Sequence, residues 1–274
     1  MTVLTGAASG IGRHLSGRLA RLGDRLLATD VDLASLEWAA TQDAWPTDRV
    51  QLAALDVRDP VAWKQTIDHA VADWGRLDVL ANVAGVIVPG LVHEQTPQDV
   101  DLHLDINAKG VIYGSQAAAA VMVAQRSGQI VNVGSMAALA AVPGLGLYTA
   151  SKWAVRGFSL AVAQELAPHG VRVSLICPDA VATPMLDKQL DYQEAALTFS
   201  GRRFLSVEEV GRAIVEQAIE RGRLEVTIPW SRAFLSKLTS CFPALAAKAL
   251  PALTAKGLRQ QRAARERLRP HEPT

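Results

Sequence analysis

Short apolar runs alternate with longer segments of helical periodicity along most of the chain. Seven runs rich in Val, Ile and Leu predict strands, at 3–5, 25–29, 50–55, 79–82, 129–133, 172–177 and 225–228. The segments between them predict helices, at 10–22, 32–40, 60–74, 97–126, 148–168 and 207–221. Strands that are apolar on both faces are typical of a parallel sheet covered by helices on each side. The sequence therefore predicts an α/β fold with a doubly wound, parallel, seven-stranded sheet in a single domain.

Two segments depart from this alternation. Residues 184–205 have no strand pattern and follow the sixth predicted strand, where open sheets of this kind bind ligands, so we interpret them as a mobile lid. The first predicted strand is short on its N-terminal side, which suggests that one or two strand residues precede this start. We expect that shortening to lower stability and not to abolish chemistry.

Composition excludes several classes of protein. A chain of 274 residues with 49% apolar content is long enough for one large core, and its net charge of +1 is not that of a nucleic-acid-binding surface. Its two cysteines, Cys177 and Cys241, form neither a disulfide framework nor a metal cluster, so no metal is expected and a reducing cytoplasm fits best. The first residues run directly into a glycine motif, leaving no room for a signal peptide, and no uninterrupted apolar stretch is long enough to span a membrane.

The C-terminal part is chemically distinct. Residues 229–274 contain nine Lys or Arg and two Glu, a net charge of +7 that leaves −6 for the rest of the chain. We therefore divide the chain into a catalytic domain at 1–230 and a basic amphipathic extension at 231–274. Apolar residues recur there at helical spacing from Phe234 to Leu245, and Pro243 and Pro251 must break or kink the helix. The extension either packs on its own body or a sister subunit, or lies on an anionic membrane as a peripheral contact.

A glycine turn opens the chain. Gly6, Gly10 and Gly12 follow a short strand and begin a helix, as a diphosphate-binding turn requires; Ser9 precedes Gly10, and Ile11 lies between Gly10 and Gly12. Asp30 ends the second predicted strand, where its carboxylate would bind ribose hydroxyls and repel a 2′-phosphate, which favours NAD over NADP. The alternative for Asp30 is a helix N-cap, a role that Asp32 fits equally well.

A second motif suits proton transfer. Lys152 follows Tyr148 by four residues, so both lie on one face of a helix, and Ser135 lies thirteen residues upstream of Tyr148. Hydride transfer from an alcohol needs a base that works near neutral pH, whereas a free tyrosine has a pKa of about 10. Lowering it by roughly three units takes about 4 kcal/mol, which an ammonium about 4 Å away and an oxidised nicotinamide would supply together.

With these motifs in order, residues 1–230 resemble the short-chain dehydrogenase/reductase family. The turn at 5–12 resembles its cofactor turn, and Asp56 and Val57 resemble its adenine-contacting pair. The segment of Asn82, Ala84 and Gly85 is similar to the Asn-Asn-Ala-Gly motif, with Val83 in place of the second Asn. The resemblance implies a Rossmann fold, a catalytic set of Asn107, Ser135, Tyr148 and Lys152, and nicotinamide contacts from Pro178, Val181 and Thr183.

The same resemblance implies further roles. Ser135 would hold the substrate oxygen, Tyr148 and Lys152 would also contact the cofactor, and Asn107 would hold a water that links Lys152 to solvent. Family members commonly associate through the helices corresponding to 99–125 and 148–167, so a homodimer or homotetramer is expected. Asp179 replaces the usual Gly after Pro178, so a tilted loop or a carboxylate near the nicotinamide is expected there.

The substrate is less clear from sequence. Residues 86–91 and 137–147 border the substrate pocket in the resembling family and are almost wholly apolar here, which favours a hydrophobic, lipophilic secondary alcohol or ketone. The six histidines show no ligand spacing and are expected to be surface or helix residues, with His93 nearest the pocket segments. We predict an NAD-dependent oxidoreductase, cytoplasmic or membrane-peripheral. The alternatives are a catalytically silent NAD-binding regulator and an NAD-recycling epimerase or dehydratase.

Overall fold

A parallel sheet forms the centre of the computed structural model, which describes residues 1–268. Its order is β3-β2-β1-β4-β5-β6-β7, so the chain winds outward from β1 in one direction and then from β4 in the other. The strands are β1 (Thr2–Thr5), β2 (Leu26–Asp30), β3 (Val50–Ala54), β4 (Val79–Asn82), β5 (Gly128–Val133), β6 (Val171–Pro178) and β7 (Glu225–Ile228). The predicted doubly wound seven-stranded sheet is confirmed.

Ten α-helices connect and cover these strands in the described part of the chain. They are α1 (Gly10–Arg21), α2 (Leu33–Gln42), α3 (Pro60–Trp74), α4 (Pro97–His103), α5 (Gly110–Gln125), α6 (Gly146–Leu166), α7 (Pro184–Asp187), α8 (Val207–Ala213), α9 (Trp230–Cys241) and α10 (Pro243–Leu268). The π-helical turns Leu104–Lys109 and Ile214–Glu220 follow α4 and α8. Short 3-10 helices cover Met136–Ala138, Ala167–His169 and Gln193–Ser200.

Alternate residues of each strand pack on opposite faces of the sheet. On one face, Leu4 of β1 and Leu26 of β2 pack with α1 and α8. On the other, Val3 and Leu27 pack with α3 and α5, where Trp63 is buried. Burial on both faces explains why the strands read as continuous apolar runs.

The segment predicted as a mobile lid, 184–205, has more structure than the sequence indicated. It contains α7 and the 3-10 helix Gln193–Ser200, and Leu186, Leu190 and Phe199 are buried. These side chains form one apolar cluster with Ala264 of α10. The strand pattern is missing because the segment is helical and covered by the C-terminal extension.

Helix α10 packs directly on this lid. A Cβ on Gly257 would lie 2.0 Å from the backbone oxygen of Ala196, so only glycine permits this approach. Gln261 donates from Nε2 to the backbone oxygens of Gln189 and Tyr192, both at 2.8 Å. Pro243 starts α10, whereas Pro251 lies inside it. Within residues 1–268, no helix is both long and apolar enough to cross a membrane.

Candidate active site

The turn between β1 and α1 has the conformation that its glycines predict. Gly6 and Gly10 have φ of 71° and 52°, a left-handed region that other residues rarely adopt. A Cβ on Gly12 would lie 2.0 Å from the backbone oxygen of Gly6. Ser9 is the N-cap of α1 and makes no side-chain capping bond, and Ile11 lies in its first turn. The amides at this helix end are therefore placed to bind an anion.

Asp30 lies at the end of β2, beside that turn. Its Oδ2 accepts the backbone N–H of Ala8 at 3.0 Å, which ties the glycine turn to the second strand. Asp32, and not Asp30, is the N-cap of α2, because its carboxylate accepts the backbone N–H of Ser35 at 3.0 Å. The N-cap alternative for Asp30 is therefore wrong.

The first cation after the glycine turn in sequence, Arg13, is already paired. Arg13 donates from Nε and Nη2 to the two carboxylate oxygens of Asp43, at 2.8 and 2.6 Å. Its guanidinium also lies 5.0 Å from the ring centre of Trp38. The bond to Asp43 raises the pKa of Arg13, against burial, which lowers it. The guanidinium of Arg13 is thus already bound by Asp43 and packed on Trp38.

The predicted adenine-contacting pair lies just beyond β3. Asp56 accepts from the guanidinium of Arg58, with Nη2 at 2.6 Å, and this bond lowers the pKa of Asp56. Val57 is buried against Gly110, and its carbonyl accepts from the indole of Trp63 at 3.0 Å. Both residues lie at the carboxyl edge of the sheet, where the glycine turn also lies. Both also make contacts within the protein.

The segment after β4 is held by Thr5. Its Oγ1 accepts the backbone N–H groups of Val83 and Ala84, both at 3.1 Å. Gly6 approaches so closely that a Cβ on it would lie 2.8 Å from Cα of Ala84. Asn82 points into the protein instead, where its Nδ2 donates to Oδ1 of Asn132 at 2.8 Å. Its side chain therefore supports the sheet.

The loop after β6 closes over the glycine turn. Thr183 is the N-cap of α7, and its methyl group would lie 3.2 Å from a Cβ on Gly10. Val181 pairs with Leu205 at the end of the lid, and Pro178 ends β6. Thr183 therefore lies against the N-terminus of α1.

Asp179 does not project as a free carboxylate. Its Oδ2 lies 3.0 Å from Nη1 of Arg232 in α9, and Nη2 of Arg232 donates to Oγ of Ser200 in the lid at 3.0 Å. Burial raises the pKa of Asp179, and Arg232 offsets part of that effect. The Gly-to-Asp departure is thus compensated by a cation from the C-terminal extension.

Tyr148 and Lys152 lie together in the first half of α6. The ammonium of Lys152 is 5.6 Å from the ring centre of Tyr148 and donates to the backbone oxygen of Val133, at the end of β5, at 2.9 Å. Ser135 follows β5 and caps the next 3-10 helix, where its Oγ accepts the N–H of Ala137 at 3.1 Å. The end of β5 therefore brings the three predicted catalytic groups into one place.

Burial within the protein shifts the pKa values of Tyr148 and Lys152 so that each group favours its neutral form. Burial raises the pKa of Tyr148 to about 12, with Ser135 lowering it in part. Burial also lowers the pKa of Lys152 to about 8. In the protein alone, burial dominates both pKa values. The lowering of the Tyr148 pKa that is expected from Lys152 together with an oxidised nicotinamide stays a prediction.

Asn107 lies in the π-helical turn between α4 and α5 and is fully buried. Its Nδ2 donates to the backbone oxygen of Val86 at 2.9 Å and to Oγ of Ser151 at 3.1 Å, while its Oδ1 accepts the N–H of Val86 at 2.8 Å. A Cβ on Gly85 would be 3.2 Å from Asn107 Oδ1 and 3.6 Å from the Lys152 ammonium. Asn107 thus belongs to the same cluster as Lys152. π-helical turns such as the one that holds Asn107 often occur at functional sites.

Comparison with known proteins identifies the family of this chain. The family model for short chain dehydrogenases matches residues 1–194. The chain belongs to the short-chain dehydrogenase/reductase family. It is 34% identical over 215 residues to the 3-oxoacyl-(acyl-carrier-protein) reductase of Thermotoga maritima, covering 78% of this chain and 87% of the relative. It is 34% identical over 199 residues to the 2-(R)-hydroxypropyl-CoM dehydrogenase of Xanthobacter autotrophicus, covering 71% and 79%.

Among solved structures, a short-chain dehydrogenase/reductase from Burkholderia phymatum in complex with NAD matches with a TM-score of 0.79 and 26% identity. The match covers 89% of this chain and 94% of that one. A nicotinamide dinucleotide fits the residues present here, because the glycines leave space at the α1 N-terminus and Asp30 stands beside it. Among residues 1–268, no group of three His, Cys, Asp or Glu is placed to hold a metal ion.

This short-chain dehydrogenase/reductase contains two residues whose contacts with the candidate site its sequence did not reveal. His103 is a helix residue, as expected for the histidines, and is fully buried: its Nδ1 lies 2.7 Å from the backbone oxygen of Asp99, and its Nε2 accepts the N–H of Val88 at 3.1 Å. Its ring packs edge-on against Tyr148 at 6.5 Å. Arg232 is the second, and its only sequence signal was the unusual Asp179. His93, by contrast, is exposed.

Proposed function

We propose that this protein is an NAD-dependent oxidoreductase that interconverts a hydrophobic secondary alcohol and its ketone. The observation that carries the proposal is the cluster of half-buried Ser135 with buried Tyr148 and Lys152, at the same edge of the sheet as the glycine turn and Asp30. A purely structural role does not require a buried lysine beside a buried tyrosine at the ligand-binding edge of a sheet. Such a pair therefore supports a functional role.

NAD is the proposed cofactor because Arg13, the first cation after the glycine turn, is not free to bind a 2′-phosphate. Asp30 is a carboxylate at the end of β2, the exposed residue after it is Val31, and Arg13 is bonded to Asp43. A 2′-phosphate beside Asp30 would meet repulsion without compensation. NADP is therefore the less favoured cofactor.

The chain's own residues would move the proton. NAD, when bound, accepts or returns the hydride and adds positive charge beside the phenol. In alcohol oxidation the Tyr148 oxygen takes the hydroxyl proton, and in ketone reduction it gives that proton back. The Ser135 hydroxyl donates a hydrogen bond to the substrate oxygen, and Lys152 stabilises the phenolate. Asn107 orients the turn around Val86 and lies near Lys152, where the predicted water would sit.

A hydrophobic substrate is favoured by the apolar residues around Tyr148. They form one cluster with it, consisting of Ile87, Ala137, Val142, Leu145, Met185 and Ala195. Ala195 belongs to the lid, so the lid contributes to the wall beside the reacting hydroxyl. Two relatives carry names that denote secondary alcohols, the hydroxypropyl-CoM dehydrogenase and the cyclopentanol dehydrogenase of Comamonas, which is 32% identical over 205 residues.

The test is a screen of cyclic and long-chain secondary alcohols with NAD and with NADP, read by the absorbance of the reduced cofactor. We expect turnover with NAD that improves as the apolar part of the alcohol grows. Tight NAD binding with no turnover of any alcohol or ketone would support the silent binding protein instead. A cytoplasmic location and a homo-oligomer remain predictions.

A further inference from the structure

Helix α9 carries its large apolar side chains on the outside. Trp230 is 76% exposed, Phe234 67% and Phe242, at the helix end, 57%. Leu235 and Leu238 are also exposed. At about 100° per residue, the four of these that lie within the helix fall within an arc of about 140°. We call these five residues the α9 face.

Several polar side chains of α9 contact the body of the protein instead. Arg232 binds Asp179 and Ser200, and Lys237 is paired with Glu225 of β7. Ser240 donates to the backbone oxygen of Leu139. Arg232 and Lys237 are the two charged residues of α9 and both are paired with carboxylates, so its outward side carries no unpaired charge. A surface helix normally has the opposite arrangement, so the α9 face needs an apolar partner.

The charge of the extension indicates what that partner is. Residues 229–274 carry a net charge of +7, while the rest of the chain carries −6. Lys248, which follows the α9 face in the first turns of α10, is exposed, as are Arg259 and Arg262. Aromatic and leucine side chains combined with nearby cations are the composition that binds the surface of an anionic bilayer.

A second copy of the chain fits less well. A symmetric dimer through the α9 face would place the same patch of each subunit in contact, and would bring two extensions of charge +7 together. An anionic lipid surface accepts the apolar side chains and attracts the cations at the same time.

We propose that the α9 face docks this protein on an anionic lipid bilayer, with its aromatic side chains at the level of the headgroups. Arg232 and α10 both hold the lid, so docking would place the lid beside the bilayer, where a lipophilic substrate dissolves. The docking itself does not depend on the proposed function.

Vesicle flotation of the full chain tests this proposal. Vesicles of phosphatidylcholine with phosphatidylglycerol are compared with vesicles of phosphatidylcholine alone, at low and high salt. We expect flotation with the anionic vesicles, weakened by salt. The Trp230→Ser/Phe234→Ser variant should lower the partition coefficient by at least about tenfold, because each side chain loses its burial in lipid. The matched control is Leu22→Ser/Val61→Ser, which removes two exposed apolar residues, one directly after α1 and one in α3, and should float like wild type.

Light scattering on the same samples distinguishes a lipid partner from a protein partner. The oligomeric state should be equal in wild type and in the Trp230→Ser/Phe234→Ser variant. The proposal is overturned if wild type fails to float with anionic vesicles, or if the α9 variant and the control lose flotation equally. It is also overturned if the α9 substitutions dissociate an oligomer while flotation is absent, because the face would then bind a second copy.

Discussion

Substitution of Arg232 should measure how strongly the stability around the candidate site depends on the C-terminal extension. In wild type, the carboxylate of Asp179 is 10% exposed and the guanidinium of Arg232 is 27% exposed, with 3.0 Å between Oδ2 and Nη1. Arg232→Ala would leave a largely buried carboxylate without its cation and would free Ser200 of the lid. The loop at Pro178–Thr183 and the lid would then lose a shared anchor.

The magnitude follows from the burial of the pair. Breaking a fully buried pair costs about 3–5 kcal/mol, whereas an exposed pair is worth about 0–1 kcal/mol. Because Arg232 is partly exposed, we expect a loss of about 2 kcal/mol. For a domain of this size, that loss lowers Tm by about 4–8 °C.

The assay is thermal unfolding of four proteins: wild type, Arg232→Ala, Asp179→Ala and the double variant. In the double variant the buried charge is gone, so the cost of removing Arg232 should fall below about 1 kcal/mol. The matched control is Arg203→Ala, because Arg203 also binds a carboxylate, that of Glu209 at 2.7 Å, but lies exposed on the surface. Its Tm should change by less than about 4 °C.

Stability against pH adds a second readout. Burial raises the pKa of Asp179 above its usual 3.8, so the neutral carboxyl favours folding at low pH and this contribution is lost as pH rises through the folded pKa. Without Arg232 that pKa rises further, so Arg232→Ala should cost more at pH 8 than at pH 5. A cost that is equal at both pH values and unchanged by Asp179→Ala would refute the reasoning.

Three further changes test the cofactor turn and the buried histidine. Asp30→Ser should raise the kcat/KM ratio of NADP to NAD by about tenfold, since it removes a repelling charge worth about 1.4 kcal/mol; an unchanged ratio would contradict the assigned role. Gly12→Ala should weaken NAD binding, measured by calorimetry, because its Cβ would lie 2.0 Å from the oxygen of Gly6, whereas Gly157→Ala, with no atom within 4 Å, should bind NAD normally. His103→Leu should cost about 1–3 kcal/mol in chemical denaturation, because the N–H of Val88 loses its partner; equal stability would show that water replaces it.

Much of the fold could be predicted because the sheet is buried on both faces. Each strand was an apolar run in sequence, and the observed strand boundaries lie within one residue of the predicted ones for most of them. The lid was different: Phe199 packs against α10, an element far along the chain, while Ala195 packs against Tyr148. Local periodicity contains no information about that partner.

The sequence predicted which positions form the candidate site, but few of the contacts that their side chains make. Tyr148 and Lys152 were found from helical spacing, but their burial, which sets both pKa values, depends on the lid and on β5. Asp179 was recognised as unusual, yet Arg232, its partner, lies 53 positions later in another element, as the ion pair shows. Likewise, nothing local distinguishes buried His103 from exposed His93.

The central claim is that the phenol of Tyr148 carries the proton while other groups bind the cofactor. Tyr148→Phe removes only that hydroxyl, so the measurement is turnover of the best alcohol from the screen, together with NAD affinity by calorimetry. We predict that turnover falls by at least about 100-fold while NAD affinity stays within about twofold. A Tyr148→Phe protein that keeps a large part of wild-type turnover would contradict the account.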